Sequence, residues 1–550
     1  MPVFPHVVIG IPVIIVLVLW RLSQIGRRPR DYPPGPPTLP LIGNLHQIAS
    51  TNRHLQFQKW AQEYGPIYSL MLGAQVVIVL SSDVVIKELV DKRSSIYSSR
   101  PEAYIAQDVI SGGLRPLFMR NDSSQSGHIW RVARKLMYTV LNPTSAQNYI
   151  PYQDLESKAM LLGLLERPDD FVDHIRRYST SLTTQMTFAH RTIDIDDGTF
   201  KEAFDIFDRS SALIASKTSL LLDLVPVLRH IPAFLVPVKK EAQEIYQQEL
   251  RLFQNLYFDV RRRVNEKTCQ PCVAADLVRL QETESFSDAL AAYIGGSIFQ
   301  AGSETTAIIL IGFVQAMTLF PDVVKAAQAQ LDSVCGDRLP GLDDAPDLPY
   351  INACCKESLR WMPGFLLCVP HAVSQDDVYM DYHIPKGATV ILNTWAINHD
   401  PKRHPKPEEF NPMRYINDHQ SSSESSNNSD ATKRDHFTFG AGRRKCSGMH
   451  IADRSLFLAI CRMLWAFDFK KAVDPVTLQE ITPDMTDLTD GFVSTPKPFK
   501  TSIVPRNPAR LQSIKAEWAE MMKLLDKDTL EWKILPQSVL NQTYGDRPRG

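Results

Sequence analysis

The stretch from Asp288 to Phe320 constrains this chain most: it is apolar over much of its length, and Pro321 closes it. Roughly thirty helical residues at 1.5 Å each give about 45 Å, enough to cross a whole domain. A helix that long and that apolar has to be a central one, with the rest of the fold wrapped around it. Within it, Ala301-Gly302-Ser303-Glu304-Thr305-Thr306 is followed by the unbroken apolar run Ile308-Ile309-Leu310-Ile311. Serine, glutamate and threonine in a helix ordinarily face water. The apolar flank argues against exposure here, so these polar groups need another reason.

A chain of 550 residues can bury a large core around such a helix. With 44% hydrophobic and 22% charged residues and a formal charge of −1, it is globular, and no overall basicity recruits nucleic acid. Eight cysteines spread over this length suit a reducing compartment better than a disulfide framework. Cys269-Gln270-Pro271-Cys272 is a lone C-x-x-C without the second pair that a zinc site needs.

Val3 to Trp20 is an apolar run, and Arg21, Arg27, Arg28 and Arg30 follow it. Residues 1–25 are therefore expected to be a single transmembrane anchor, with the basic side and the bulk of the chain in the cytosol. A cleaved signal peptide would carry its positive charges before the apolar run. Residues 26–40 form a basic hinge in which Pro33-Pro34-Gly35-Pro36-Pro37 favours a stiff extended link.

The body, residues 41–508, has amphipathic helical patterns between about 52 and 370, a strand pair near Ile67 to Leu80, and extended segments around 376–394 and 486–504. The expected fold class is mainly α with small β-sheets. Residues 417–435 are polar and low in complexity, and are expected to form a solvated loop. The extension 509–550 holds one amphipathic helix whose purpose the sequence does not disclose.

Chemistry concentrates in Phe437-Thr438-Phe439-Gly440-Ala441-Gly442-Arg443-Arg444-Lys445-Cys446-Ser447-Gly448, just before a helical pattern from Met449 to Trp465. Helix-end N–H groups and three neighbouring cations favour a Cys446 thiolate, so a lowered pKa is expected. A buried, inert cysteine is the competing reading, and local physics does not separate the two. Glu357-Ser358-Leu359-Arg360 places an acid and a base on one helix face, and Trp130 and Arg134 lie one turn apart on another.

Phe439, Gly442, Arg444, Cys446 and Gly448 fit F-x-x-G-x-R-x-C-x-G without a mismatch, and through this loop the chain resembles the cytochrome P-450 family. Three further family motifs stand in the expected order, so the resemblance runs from the proline hinge to about residue 505. It implies that fold, with haem b held through Cys446 as the axial iron ligand and Phe439 within the binding loop. Trp130 and Arg134 are implied to hold one haem carboxylate, and Arg444 and His371 the other. It also implies a structural triad of Glu357, Arg360 and Arg414, the last from Phe410-Asn411-Pro412-Met413-Arg414-Tyr415, where many members carry Glu at the position of Met413.

In Ala301–Thr306 the resemblance assigns Thr305 to hydrogen-bonding dioxygen at the haem and Glu304 to relaying protons. Substrate contacts fall by region on Ile105 to Phe118, the middle of the central helix, Phe365 to Val369, and Gly491-Phe492-Val493. These are mostly apolar and suit a hydrophobic small molecule.

No nicotinamide or flavin site is recognisable: Lys445 occupies the last glycine position of a dinucleotide fingerprint begun at Gly440. Electrons are expected from NADPH through a flavoprotein reductase, with a b-type cytochrome as a further partner. Arg131, Arg134, Lys135, Arg443 and Lys445 would supply a basic docking face. The expected function is a monooxygenase of fungal secondary metabolism, single-pass in the endoplasmic reticulum membrane. Two alternatives are a haem-thiolate isomerase or dehydratase that needs no reductase, and a tethered haem- or lipid-binding protein. Glu304 with Thr305 counts against both.

Overall fold

The computed structural model describes residue 20 and residues 23–535; the expected anchor lies almost wholly outside the described residues, as does the end of the extension. Ten helices carry the argument: α1 (Gln125–Leu141), α2 (Ile150–Glu166), α3 (Phe171–Phe188), α4 (Gly198–Ala215), α5 (Pro237–Asn265), α6 (Asp288–Leu319), α7 (Pro349–Trp361), α8 (Ser422–Asn427), α9 (Met449–Ala466) and α10 (Pro508–Leu524). Strands β1 (Ile67–Leu72), β2 (Gln75–Leu80), β3 (His371–Ala372) and β6 (Thr389–Leu392) form one sheet in the order β1-β2-β6-β3. A hairpin of β4 (Asp377–Tyr379) and β5 (Tyr382–Ile384) and a sheet β8-β7-β9 of Glu480–Ile481, Phe467–Val473 and Thr501–Pro505 complete the strands.

The central helix is α6. Ser287 starts it, its hydroxyl accepting from the Leu290 N–H at 3.2 Å, and Pro321 opens the helix that follows. Although long and apolar enough to cross a bilayer, it is mostly buried inside the protein. Helix α3 lies against it unusually closely: a Cβ on Gly302 would stand 2.3 Å from Thr183 Cγ2. Ser179 Oγ donates to the Ser303 carbonyl at 2.7 Å, and the Thr183 and Ser303 hydroxyls are 2.6 Å apart. Ser303 therefore belongs to the α3 contact.

Strands β1 and β2 form the expected hairpin, turned at Gly73, whose φ of +61° suits glycine. The proline link is not a free extended spacer. Arg28 donates to Ser69 Oγ at 2.9 Å and to the carbonyls of Gly35 and Pro36 at 2.8 Å each, and the Ser69 N–H donates to Pro34 O at 2.7 Å. The hinge is thus fastened along β1.

Residues 417–435 depart from the expected solvated loop. They contain α8, which is capped by Ser421, and its Ser422, Ser425 and Ser426 are buried. The serines have carboxylates to bond: Ser425 Oγ donates to buried Asp435 and Ser422 Oγ to half-buried Asp453, both at 2.6 Å. Low complexity concealed a run of small donors matched to specific acceptors.

The extension also docks. Arg510 lies 4.3 Å from the centre of the Trp465 ring, and Arg191 Nη1 donates to Leu530 O at 2.8 Å while its Nε donates to buried Glu156 at 2.7 Å. Trp532 is buried, and its carbonyl accepts from Gln270 Nε2 at 3.1 Å. Trp532→Ala is expected to cost about 3–5 kcal/mol, the usual range for emptying a buried tryptophan site. Chemical unfolding of the purified protein measures this; no change would mean that the tail is a loose appendage.

Candidate active site

The cysteine loop is folded by its own backbone. The Cys446 N–H donates to Phe439 O at 3.0 Å, and Gly442 sits at φ +63° with its N–H donating to Asp91 Oδ1 at 2.7 Å. A Cβ on Gly442 would lie 2.3 Å from the Val90 carbonyl oxygen, so only glycine fits. Cys446 has an accessible side chain, although the surrounding protein strips it of bulk solvent. It therefore faces an internal space.

The expected lowering of the Cys446 pKa does not occur in the protein by itself. Burial pushes the thiol up, and the Gly448 N–H and Arg134 only oppose this. The flanking cations are engaged elsewhere: Lys445 Nζ bonds Asn427 Oδ1, and Arg444 reaches the carbonyls of Ser98 and Met119 at 2.9 and 2.6 Å. Sequence adjacency did not place their charges at the sulfur.

Behind the loop, Glu357 and Arg360 are completely buried, and Arg360 Nε and Nη2 each donate to the carboxylate at 2.7 Å. Arg414 Nε adds a contact at 3.3 Å and the Asn411 N–H another at 2.8 Å. Met413 is exposed, so the departure at that position leaves these bonds untouched. Arg360 Nη1 also holds Asn398 O at 3.0 Å, Asn398 Oδ1 accepts from the Phe437 N–H at 3.2 Å, and Thr438 Oγ1 donates to Leu359 O at 2.7 Å. A continuous set of hydrogen bonds thus joins α7 to the base of the cysteine loop.

The expected carboxylate holders converge. Arg444 lies 3.9 Å above the Trp130 ring, Arg134 Nη2 donates to Lys445 O at 2.5 Å, and His371 Nδ1 is 2.7 Å from Tyr97 O within β3. Arg100, not foreseen from sequence, joins them, its Nη1 bonded to Val369 O and Pro370 O at 2.6 and 2.7 Å. Arg100, Arg134 and Arg444 are all desolvated and meet only carbonyls, with no carboxylate among the described residues. Burial, then Arg100 and Arg134, push the Arg444 guanidinium down to about 8. Burial pushes Arg100 to about 10, and His371 lies well below the ordinary histidine value.

On α6, Ala301 is exposed, while Leu310 and its neighbours are buried. The helix therefore opens onto internal space at this level. Thr305 Oγ1 donates to Ala301 O at 2.7 Å. Burial pushes the Glu304 carboxyl up to about 7; Asp208 adds to the push, and Arg115 and Arg176 oppose it. The substrate regions meet as well: the Phe492 ring lies 5.5 Å from both Phe118 and Phe365, beside Ala106 and Val369. Ile214 from α4 joins them, and Ser211 Oγ accepts from the Phe492 N–H at 3.2 Å. Neither bore a signal in the sequence beyond helical periodicity.

A profile of the cytochrome P450 family matches residues 33–503. The chain belongs to the cytochrome P450 family. It is 56% identical to the cytochrome P450 monooxygenase fogE of Aspergillus ruber over 97% of each chain. It is also 56% identical to the cytochrome P450 monooxygenase virE of Hypocrea virens, over 98% of this chain and 97% of that one. Identity to fsoB of Humicola fuscoatra, another named monooxygenase, is 45% over 96% and 97%.

The residues of this P450 fit a haem. Three desolvated guanidinium groups without a carboxylate among the described residues suit a ligand that brings two carboxylates, and the Cys446 thiol and Ala301 of α6 are left accessible to its body. Glu357→Gln is expected to lower the haem-to-protein ratio severely. It leaves Arg360 and Arg414 buried without a counter-charge, a loss of about 3–5 kcal/mol. Absorbance of the purified variant measures this, with circular dichroism confirming that the helices persist.

Proposed function

We propose that this monooxygenase inserts one oxygen atom from dioxygen into a hydrophobic small molecule of fungal secondary metabolism, drawing electrons from NADPH through a membrane flavoprotein reductase. The observation that carries the reading is an acid and an alcohol side by side in α6 where Ala301 is exposed: Glu304, whose carboxyl burial pushes up to about 7, and Thr305, whose hydroxyl donates to Ala301 O at 2.7 Å. Haem-thiolate chemistry, when the group is bound, supplies the activation of dioxygen.

The protein's own residues divide the remaining work. Cys446 would hold the haem iron through its sulfur, and Phe439 and Gly442 shape its loop. Arg100, Trp130, Arg134, Arg444 and His371 would hold its carboxylates. Glu357, Arg360 and Arg414 fix α7 against the cysteine loop. Glu304, half protonated near pH 7, accepts and returns a proton at its carboxyl with little free-energy change, the condition under which a general acid works best. Thr305 parks its hydroxyl on the Ala301 carbonyl at 2.7 Å, from which it can turn to a ligand. The aromatic wall of Phe118, Phe365 and Phe492 excludes water and takes apolar surface.

The relatives named as monooxygenases come from fungi, which supports the metabolic setting. Residues 1–25 would anchor the protein in the endoplasmic reticulum membrane, with the catalytic body in the cytosol beside its reductase. A b-type cytochrome would be a second donor.

The first test is the absorption spectrum of the reduced, carbon-monoxide-bound protein. A Soret band strongly shifted to the red of histidine-ligated haem is expected, and Cys446→Ala should abolish it; a histidine-type spectrum in folded protein would overturn the reading. Thr305→Ala is expected to retain haem yet divert electrons from product to peroxide. Unchanged coupling in that variant would remove Thr305 from the mechanism.

A further inference from the structure

Cys269-Gln270-Pro271-Cys272 takes no part in the haem site; it forms the turn between α5 and the short helix Val273–Leu280. Neither cysteine is in a disulfide, and their thiols are hydrogen-bonded to each other, Cys272 donating to Cys269. The Cys269 S–H in turn donates to the Gln270 carbonyl at 3.2 Å. Pro271 restricts the backbone of the turn, and the Tyr152 hydroxyl pins it by donating to Pro271 O at 2.9 Å. Two sulfurs are too few to hold zinc, and no cluster of three or more metal-ligating side chains occurs among the described residues. What remains for two thiols held in contact is chemistry between them.

The two sulfurs are not equivalent. Cys272, at the start of the short helix, is buried, whereas Cys269 is half-buried and open to small solutes. The hydrogen bond from Cys272 brings the Cys269 thiol down to about 7; Arg263 of α5 and Arg279 of the short helix act the same way, and burial and Asp259 oppose them. Burial pushes the Cys272 thiol up, and its bond to Cys269 adds to this. Burial also raises the other six cysteines. An accessible sulfur that ionises readily, beside a protonated one that does not, divides the work between an attacking and a resolving thiol. Gln270 stands between them, and its Nε2 donates to the carbonyl of buried Trp532 at 3.1 Å, so the same turn holds the C-terminal extension.

We propose that Cys269 and Cys272 are a redox-active dithiol that hydrogen peroxide closes to a disulfide, and that Gln270 passes this change to the docked extension. The Cys269 thiolate attacks one peroxide oxygen and the O–O bond breaks. The departing hydroxide takes up the proton that Cys269 released and leaves as water, and Cys269 becomes a sulfenic acid. The Cys272 sulfur then displaces the hydroxyl group from Cys269; the S–S bond forms, and the Cys272 proton leaves with that hydroxyl as a second water. The two thiols lose two electrons, and one peroxide is reduced to two waters. A small dithiol reverses the step by exchange through a mixed disulfide. Closing the ring turns Gln270 and Pro271, which lie within it, and so loosens the hold of Gln270 on Trp532 O.

The test uses the haem-loaded full chain, reduced with dithiothreitol, freed of it and treated with equimolar hydrogen peroxide; the haem spectrum checks that the haem itself survives. Peptide mass mapping after alkylation should find Cys269 joined to Cys272, and dithiothreitol should return both thiols. Amide hydrogen exchange over residues 526–533 should rise about fivefold on closure, the loss of roughly one hydrogen bond from the hold on the extension. Cys272→Ser should stop at the sulfenic acid on Cys269, captured by dimedone. Cys269→Ser, at the half-buried position, should leave Cys272 unoxidised and the extension unresponsive to peroxide. Two free thiols in peroxide-treated wild type, or no sulfenic acid on Cys269 in folded Cys272→Ser, would overturn the dithiol. A disulfide that forms while exchange over 526–533 stays level would overturn its link to the extension.

Discussion

The buried carboxylate of Glu357 is the constraint on which the cysteine loop depends. It has no water to solvate it, so it requires two guanidinium groups and a backbone N–H, and these come from α7 itself and from residues 411–414. Arg360, once fixed, has donors left over, and these reach Asn398, Pro407 and Glu409. Replacing such a buried ion pair with apolar residues can be neutral or stabilising in other proteins, so its value here is directional rather than energetic. An apolar contact would tolerate sliding; a bidentate pair with further hydrogen bonds fixes one register, and through Asn398 and Thr438 that register reaches the loop bearing Cys446.

In front of the loop, the protein alone leaves its charges unbalanced. Arg100, Arg134 and Arg444 are buried together, and the Cys446 thiol is pushed toward its neutral form. A ligand with two carboxylates at one edge and a metal cation at its centre relieves both conditions at once, since a coordinated thiol ionises outright. Because only the folded chain assembles these groups, binding energy becomes folding stability by mass action. The site is therefore organised for its occupant, and part of the fold's stability is conditional on it.

Much of this was legible in the sequence because the strongest signals were periodic or chemically unusual. The central helix followed from an apolar run longer than any surface helix tolerates, and the β1–β2 hairpin from the extended pattern between Ile67 and Leu80. The cysteine loop followed from glycines whose left-handed φ the structure shows at 440 and 442, with a close backbone approach to Val90 at 442. Arg100 was not legible, because an arginine that bonds carbonyls from Val369 and Pro370 has no local mark. Nor were the serines of α8: their acceptors, Asp435 and Asp453, lie beyond the serine run. The error over the Cys446 pKa has the same origin. Three cations adjacent in sequence diverge in space, and the one that reaches the sulfur is Arg134, from α1.

The two faces of the site therefore treat charge in opposite ways. On the carboxylate-binding side, cations are buried without anions and await a ligand. On the α6 side, burial itself holds a carboxyl group up, that of Glu304, to about 7. A carboxyl group poised near pH 7 could not be made by burial alone if Arg115 were free to pair with it. The bidentate bond from Arg115 to Glu249 prevents that, and the same arginine belongs to the loop that Arg100 and Arg444 hold through the carbonyls of Leu117, Pro116 and Met119. One short segment, residues 115–119, thus couples the carboxylate-binding cations to the groups around Glu304. A change in that loop would be felt on both faces of the site.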